Sequence, residues 1–210
     1  MSDKKNTTKK NKIKKGDYGY VKAERKKRLI TTIILFLIPI LAYIGGVIVT
    51  ETNKNIITIV AMVGCLPACK SLVGLIMIFL VKPMEQSHYE KISQHAGDLV
   101  LSYEMFLTTY EKNTDVECFA VCGNRVIGFS SKIKGSTQFI EEHVKKILKQ
   151  NGYKTEVKVL TVLKPFLERL DYMNQHKEEL TKDIVFEPDE RYPDLSREEL
   201  IKHTILAISL

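Results

Sequence analysis

The sequence predicts a membrane protein of the α+β class. A two-helix transmembrane hairpin should lead into a cytosolic domain that runs α-β-β-β-α-β-α and closes with a C-terminal helix. Three observations carry this expectation. Two long apolar runs lie side by side. A dense cluster of cations precedes the first. Beyond the second, the hydrophobic pattern switches several times between the periods of helix and strand.

The first run, Leu29 to Val49, reads "LITTIILFLIPILAYIGGVIV" and holds no charge in 21 residues. As a helix it would span about 31 Å, close to the hydrocarbon thickness of a bilayer. Ile56 to Val81 has 26 residues and one charge, Lys70. A link as short as "ETNKN" fits an antiparallel hairpin. Pro39 is compatible with a membrane helix, where proline is better tolerated than in soluble helices. The first run does not read as a cleaved signal peptide: it is about twice the usual length, and no Ala-x-Ala site follows. Two adjacent runs this long are rare in the core of a soluble protein.

Charge sets the expected orientation. Residues 1–28 carry twelve Lys/Arg against Asp3, Asp17 and Glu24, a net of +9. Positive flanks stay cytoplasmic. Both the basic tail, expected to be disordered over 1–28, and the domain over 82–210 are therefore placed in the cytosol. The hairpin takes 29–81, as 29–49 and 56–81, and the loop with Glu51 and Lys54 lies outside. The expected location is the cell membrane, with two passes.

The net charge of +7 belongs to the tail, because residues 82–210 carry 18 Lys/Arg against 21 Asp/Glu. A folded basic surface for nucleic acid is thus disfavoured. The expected partner of the lysines is the anionic inner leaflet, at roughly 1 kcal/mol per residue near the surface. Setting topology alone would also explain them.

Within 82–210 the elements follow in order. "PMEQSHYEKISQHAG" is a helix bounded by Pro83 and Gly97. "DLVLSYEMFLTTY" alternates, with Leu99, Leu101, Tyr103, Met105 and Leu107 on one face and Ser102, Glu104 and Thr108 on the other, so it reads as a strand. "EKNTD" is a turn cluster. "VECFAVCGNRVIGFSS" is a hairpin around Gly123-Asn124, completing a three-stranded meander. "STQFIEEHVKKILKQNG" is an amphipathic helix, with Glu141 and Glu142 early, and Lys145, Lys146 and Lys149 late. "YKTEVKVLTVL" is a strand. Pro165 opens a helix, "DIVF" is a short edge strand, and Ser196 with Glu199 forms the capping box of the last helix.

Few residues carry a chemical signature. Glu156-Val157-Lys158 is the sharpest triplet. Nucleases of the restriction-endonuclease-like class hold a metal and a water with an acid and a Glu-x-Lys on neighbouring strands, and the α-β-β-β-α-β order is similar to theirs. In that class the triplet lies in the meander before the helix; here it follows the helix. Alternating charge on a solvated strand explains it without function. Glu85, His88 and His95 can share one helix face, but no fourth ligand is apparent. Cys118 and Cys122 read as small apolar residues of a strand. Neither a metal nor a cofactor is expected, since no phosphate-binding glycine loop, Cys-x-x-Cys or Ser/His/Asp set is present.

Lys70 is the remaining oddity. If the last 20 residues of its run span the core, it lies about 12 Å below the outer surface, at a cost of about 2.5–3.5 kcal/mol. Pro67 can free carbonyls for the ammonium while the chain snorkels outward. Otherwise Lys70 meets an acid in another membrane protein, packs in a homo-oligomer, or lines a polar path. Cys65 and Cys69 flank Pro67 as small residues suited to close helix packing. The expected function is a membrane-anchored interaction or regulatory module. Its rivals are a tethered metal-dependent hydrolase of nuclease type and a small subunit of an oligomeric transporter or channel.

Overall fold

A computed structural model of the chain describes residues 13–52, 56–108, 113–133, 135–182, 184, 186 and 192–209. Two apolar helices, α1 (Tyr20–Thr50) and α2 (Ile56–Leu80), pack as an antiparallel pair, and each is long and apolar enough to cross a membrane. Helix α1 starts at Tyr20, within the segment expected to be a disordered tail, because Val21 N–H is capped from the folded domain. The contact between the helices has a heptad spacing of mostly small residues: Thr32, Pro39 and Gly46 are buried on α1, Ala61, Ala68 and Leu75 on α2. Small side chains let the backbones approach closely. Thr32 and Ser71 share a hydrogen bond of 2.7 Å between their hydroxyls, and Arg28 Nη1 donates to Gly74 O at 3.0 Å.

The rest is mixed α+β around one four-stranded sheet. In order come α3 (Gln86–Gln94), β1 (Val100–Thr108), β2 (Asn113–Cys122), β3 (Arg125–Phe129), α4 (Gln138–Gln150), β4 (Glu156–Leu160), α5 (Leu163–Gln175), α6 (Lys177–Thr181) and α7 (Arg197–Ala207). The strands lie in the order β1-β2-β3-β4: the first three form an antiparallel meander, and β4 returns parallel to β3 after α4. Helices α4 and α7 cover one face around Phe119, Val121 and Val157; α3 and α5 cover the other around Cys118, Ala120 and Phe129.

Local chemistry explains most element ends. Gly123, at φ +56°, turns the β2–β3 hairpin. Gly128 lies directly across from Phe119, whose ring would stand 2.8 Å from any Cβ there, so only glycine admits that ring. The expected turn "EKNTD" is shorter than the sequence suggests: Asn113, Thr114 and Asp115 already pair with β1, while 111 and 112 lie outside the described residues. The helix opened by Pro165 begins two residues earlier and breaks at His176 into α5 and α6. The Ser196–Glu199 capping box is present in full, and its bonds hold the Glu199 carboxyl below the usual glutamate range. Of "DIVF", residues 183 and 185 lie outside the described set, and 184 and 186 are not in a strand.

One departure matters for everything that follows. The side chains of β1 do not keep to one face. Leu99, Leu101 and Tyr103 face α3 and α5, but Met105 and Leu107 face α4 and α7. The partner strand turns over at the same level, since Val116 and Cys118 also lie on opposite faces. The reversal sits at Glu104 and Glu117, between the paired rungs Tyr103↔Cys118 and Met105↔Val116. Glu104 has φ +52°, a left-handed conformation that costs a non-glycine residue about 1–2 kcal/mol. It is 7 % exposed, and its carboxylate accepts from Val21 N–H at 2.9 Å and from Met84 N–H at 3.2 Å.

Replacing Glu104 should therefore loosen the helical pair from the domain. Glu104→Ala is expected to destabilise the full-length protein by about 3 kcal/mol, since two buried amides lose a charged acceptor. Glu104→Gln should cost less, as its amide oxygen can still serve one amide. Thermal unfolding in detergent checks this; an unchanged midpoint for Glu104→Ala would contradict it.

Candidate functional site

The helical pair meets the sheet at residues 78–84, where α2 ends and the chain enters the domain. A helix end leaves carbonyls without intrahelical partners. Here two side chains, Arg25 and Lys132, meet the carbonyls of this stretch. Arg25 of α1 donates to Ile78 O and Phe79 O, both at 3.1 Å, and to Val81 O. Lys132 Nζ, just past β3, donates to Lys82 O at 2.7 Å and to Pro83 O at 3.1 Å. The amides turn to acids: Lys82 N–H donates to Asp115 Oδ1 at 3.3 Å, and Met84 N–H donates to Glu104. The linker is thus clasped by acids and bases of α1, β1, β2 and the segment after β3.

Glu117 lies beside this clasp with 2 % exposure. His88 Nδ1 lies 2.8 Å from its Oε2, within hydrogen-bond distance. Ser131 Oγ donates to Oε1 at 2.6 Å, and Lys132 Nζ stands 3.9 Å from the same oxygen. Ser130 Oγ donates to the Asp115 carbonyl at 2.5 Å. Burial pushes the Asp115 carboxyl above the ordinary aspartate range, against the pull of Lys132 and the Lys82 amide. Both Glu117 oxygens, Asp115 Oδ1 and Ser130 Oγ are engaged by other parts of the chain.

The position of the cluster is informative. Glu117 is on the central strand of the meander, and Ser130-Ser131-Lys132 leaves the end of the neighbouring strand. The Ser130 hydroxyl is already committed, and Glu117 has both oxygens engaged. Among the described residues no three His, Cys, Asp or Glu side chains group to hold a metal ion. The donor set does not fit a metal, and no metal-dependent step follows from it.

The residues singled out from sequence fall elsewhere. Glu156 and Lys158 are exposed on β4, and Lys158 Nζ lies 3.6 Å from Glu141 Oε2. They pair along β3 with Arg125 and Ile127, away from the Ser130 end. Glu85, His88 and His95 are not brought together: Glu85 accepts from Ser87 Oγ, His88 meets Glu117, and His95 Nδ1 meets Asp171 Oδ1 at 2.7 Å. Cys118 and Cys122 are buried, and burial raises both thiols above their usual range. Pro67, Cys69 and Lys70 are exposed on the outer side of α2, with Cys65 half-buried. Among the described residues Lys70 meets no hydrogen-bond or ion-pair partner.

Sequence reading passes over Glu104, Asp115, Glu117, Lys132 and Arg25. The available signal is a pair of acids two residues apart in an apolar strand, followed after the hairpin by Ser-Ser-Lys.

The raised Asp115 sets the sign of a pH effect. Its folded-state pKa lies above the unfolded value of 3.8, so stability is lost as pH rises from 3.8 through the folded value. Asp115→Asn keeps an acceptor for the Lys82 amide and removes this penalty. It should raise the unfolding midpoint at neutral pH and leave it unchanged well below the aspartate range. A lower midpoint at neutral pH would contradict the assignment. The chain matches no protein-family model, and no curated protein or solved structure is significantly similar to it.

Proposed function

We propose that this is a two-pass membrane protein whose α+β domain acts at the cytoplasmic face as an interaction or regulatory module, coupled rigidly to its helical hairpin. The observation that carries the reading is the clasp on residues 78–84. Glu104 and Asp115 on adjacent strands and Lys132 just past β3 are spent on the linker, which ties any tilt or displacement of the helices to the domain. The charge asymmetry supports the orientation: Arg25, Lys26, Lys27 and Arg28 lie at the domain end of α1.

This register also changes the account of Lys70. Arg28 is level with Gly74 through its 3.0 Å bond. Lys70 is one helical turn beyond, about 6 Å further along the axis. If Arg28 sits among the inner headgroups, Lys70 is within snorkelling reach of the same layer. That weakens the transporter reading and supports contact with anionic lipid.

A second reading draws on Glu117 and Lys132: a tethered hydrolase of nuclease type. Its specific support is their proximity, Glu117 on the central strand of the meander and Lys132 just past its neighbour, with Ser130 at the place where a Glu-x-Lys would carry its acid. The serine at position 130 and the engagement of Glu117 weigh against it.

Two experiments test the proposal. Full-length protein in lipid nanodiscs should leave single- and double-stranded DNA and RNA intact with Mg²⁺ or Mn²⁺. Cleavage that Glu117→Gln abolishes would put the hydrolase in its place. Trypsin should digest the domain in inside-out vesicles and spare it in right-side-out ones; the opposite pattern would reverse the topology.

A further inference from the structure

A groove of about 560 Å³ opens at the other end of the sheet, between α4 and the entry to β4. Lys145 and Lys149 of α4, Lys154 and Arg125 line it, with Glu156 as its one carboxylate. The domain as a whole has more acids than bases, so four cations around one groove is a local segregation of charge. Among the described residues none of the four forms an ion pair. Thr155 lines the same groove and is 6 % exposed. Its hydroxyl has no hydrogen-bond partner. A buried hydroxyl left unpaired costs about 1–3 kcal/mol, so such sites call for an explanation.

We infer that this groove binds a small soluble molecule bearing two or more phosphate groups. The cations supply charge-assisted contacts, and the buried, unpartnered Thr155 hydroxyl lies beside them. The size matches ordinary small-molecule sites, about 300–1,000 Å³. A long polyanion fits less well, because the neighbouring groove along β4 sets Glu141, Glu142 and Glu156 against only Lys145 and Lys158. Lipid headgroups are out of place too. Arg125 begins β3 and Phe129 ends it, next to the clasp, so the rise of β3, about 13 Å, separates the groove from the membrane end. The inference is independent of the module proposed above.

The test is calorimetric titration of the full-length protein in detergent with ADP, with inorganic pyrophosphate and with a single-stranded oligonucleotide, at low and high salt. ADP and pyrophosphate should bind saturably and more weakly at high salt. The double variant K149E/K154E changes two exposed side chains and should retain the fold, checked by its unfolding midpoint. It should lose at least about tenfold in affinity. Thr155→Val should lose about threefold to tenfold without a change in salt dependence. Absence of binding by both phosphate probes would overturn the inference, as would equal binding by K149E/K154E. Preference for the oligonucleotide over both would replace it with a nucleic-acid surface.

Discussion

At the end of α2 the backbone faces a problem that no helix solves for itself. Its last carbonyls, and the amides of the residues that follow, lie where a long apolar helix enters a packed domain. Leaving them unpaired there would be costly. The surrounding structure is built to meet them: Arg25 reaches across from the neighbouring helix, Lys132 comes from beyond β3, and Glu104 and Asp115 come from two adjacent strands. Remove this demand and there is no reason for two acids on adjacent strands and a lysine just past β3 to gather at one level.

Glu104 illustrates how local strain is offset by what it makes available. A left-handed residue in mid-strand is unfavourable, and it turns both β1 and β2 over at one level. In return one carboxylate serves the start of α1 and the entry to α3 together. Beyond the reversal, Met105 and Leu107 join the opposite core layer, so both faces of a short sheet find apolar cover. Phe106 is freed to pack on Val21, Leu75 and Ile78 at the foot of the helical pair.

Much of this fold is legible from residue pattern alone. The apolar runs, the Gly123-Asn124 hairpin, the α4 stripe and the Ser196 cap each follow from short-range chemistry, and each is present in the structure. The face reversal is not legible, because strict alternation of Leu99 to Leu107 is the simplest reading of that strand. Nothing local reports that a glutamate will adopt positive φ; the bonds that hold it come from residues 83 positions before and 20 positions before it. The clasp was hidden for the same reason. The Glu156–Lys158 triplet stood out through its spacing, whereas Glu117 and Lys132 acquire their relation only through strand pairing and the path of the linker.

The outer edge of β1 is finished by the two ends of the described chain. Tyr103 N–H donates to Gly16 O at 2.7 Å, Leu107 bridges to Ser209, and Lys15 Nζ donates to Ser209 O across 194 residues of sequence. During synthesis, residue 15 and both apolar helices are made long before residue 209. The sheet must therefore wait with one edge open while the helices are already in place, and an open edge is a template for another chain. Closing it last gives the domain a high contact order, which slows folding. The sheet is most exposed to mispairing in the interval before residue 209 is in place.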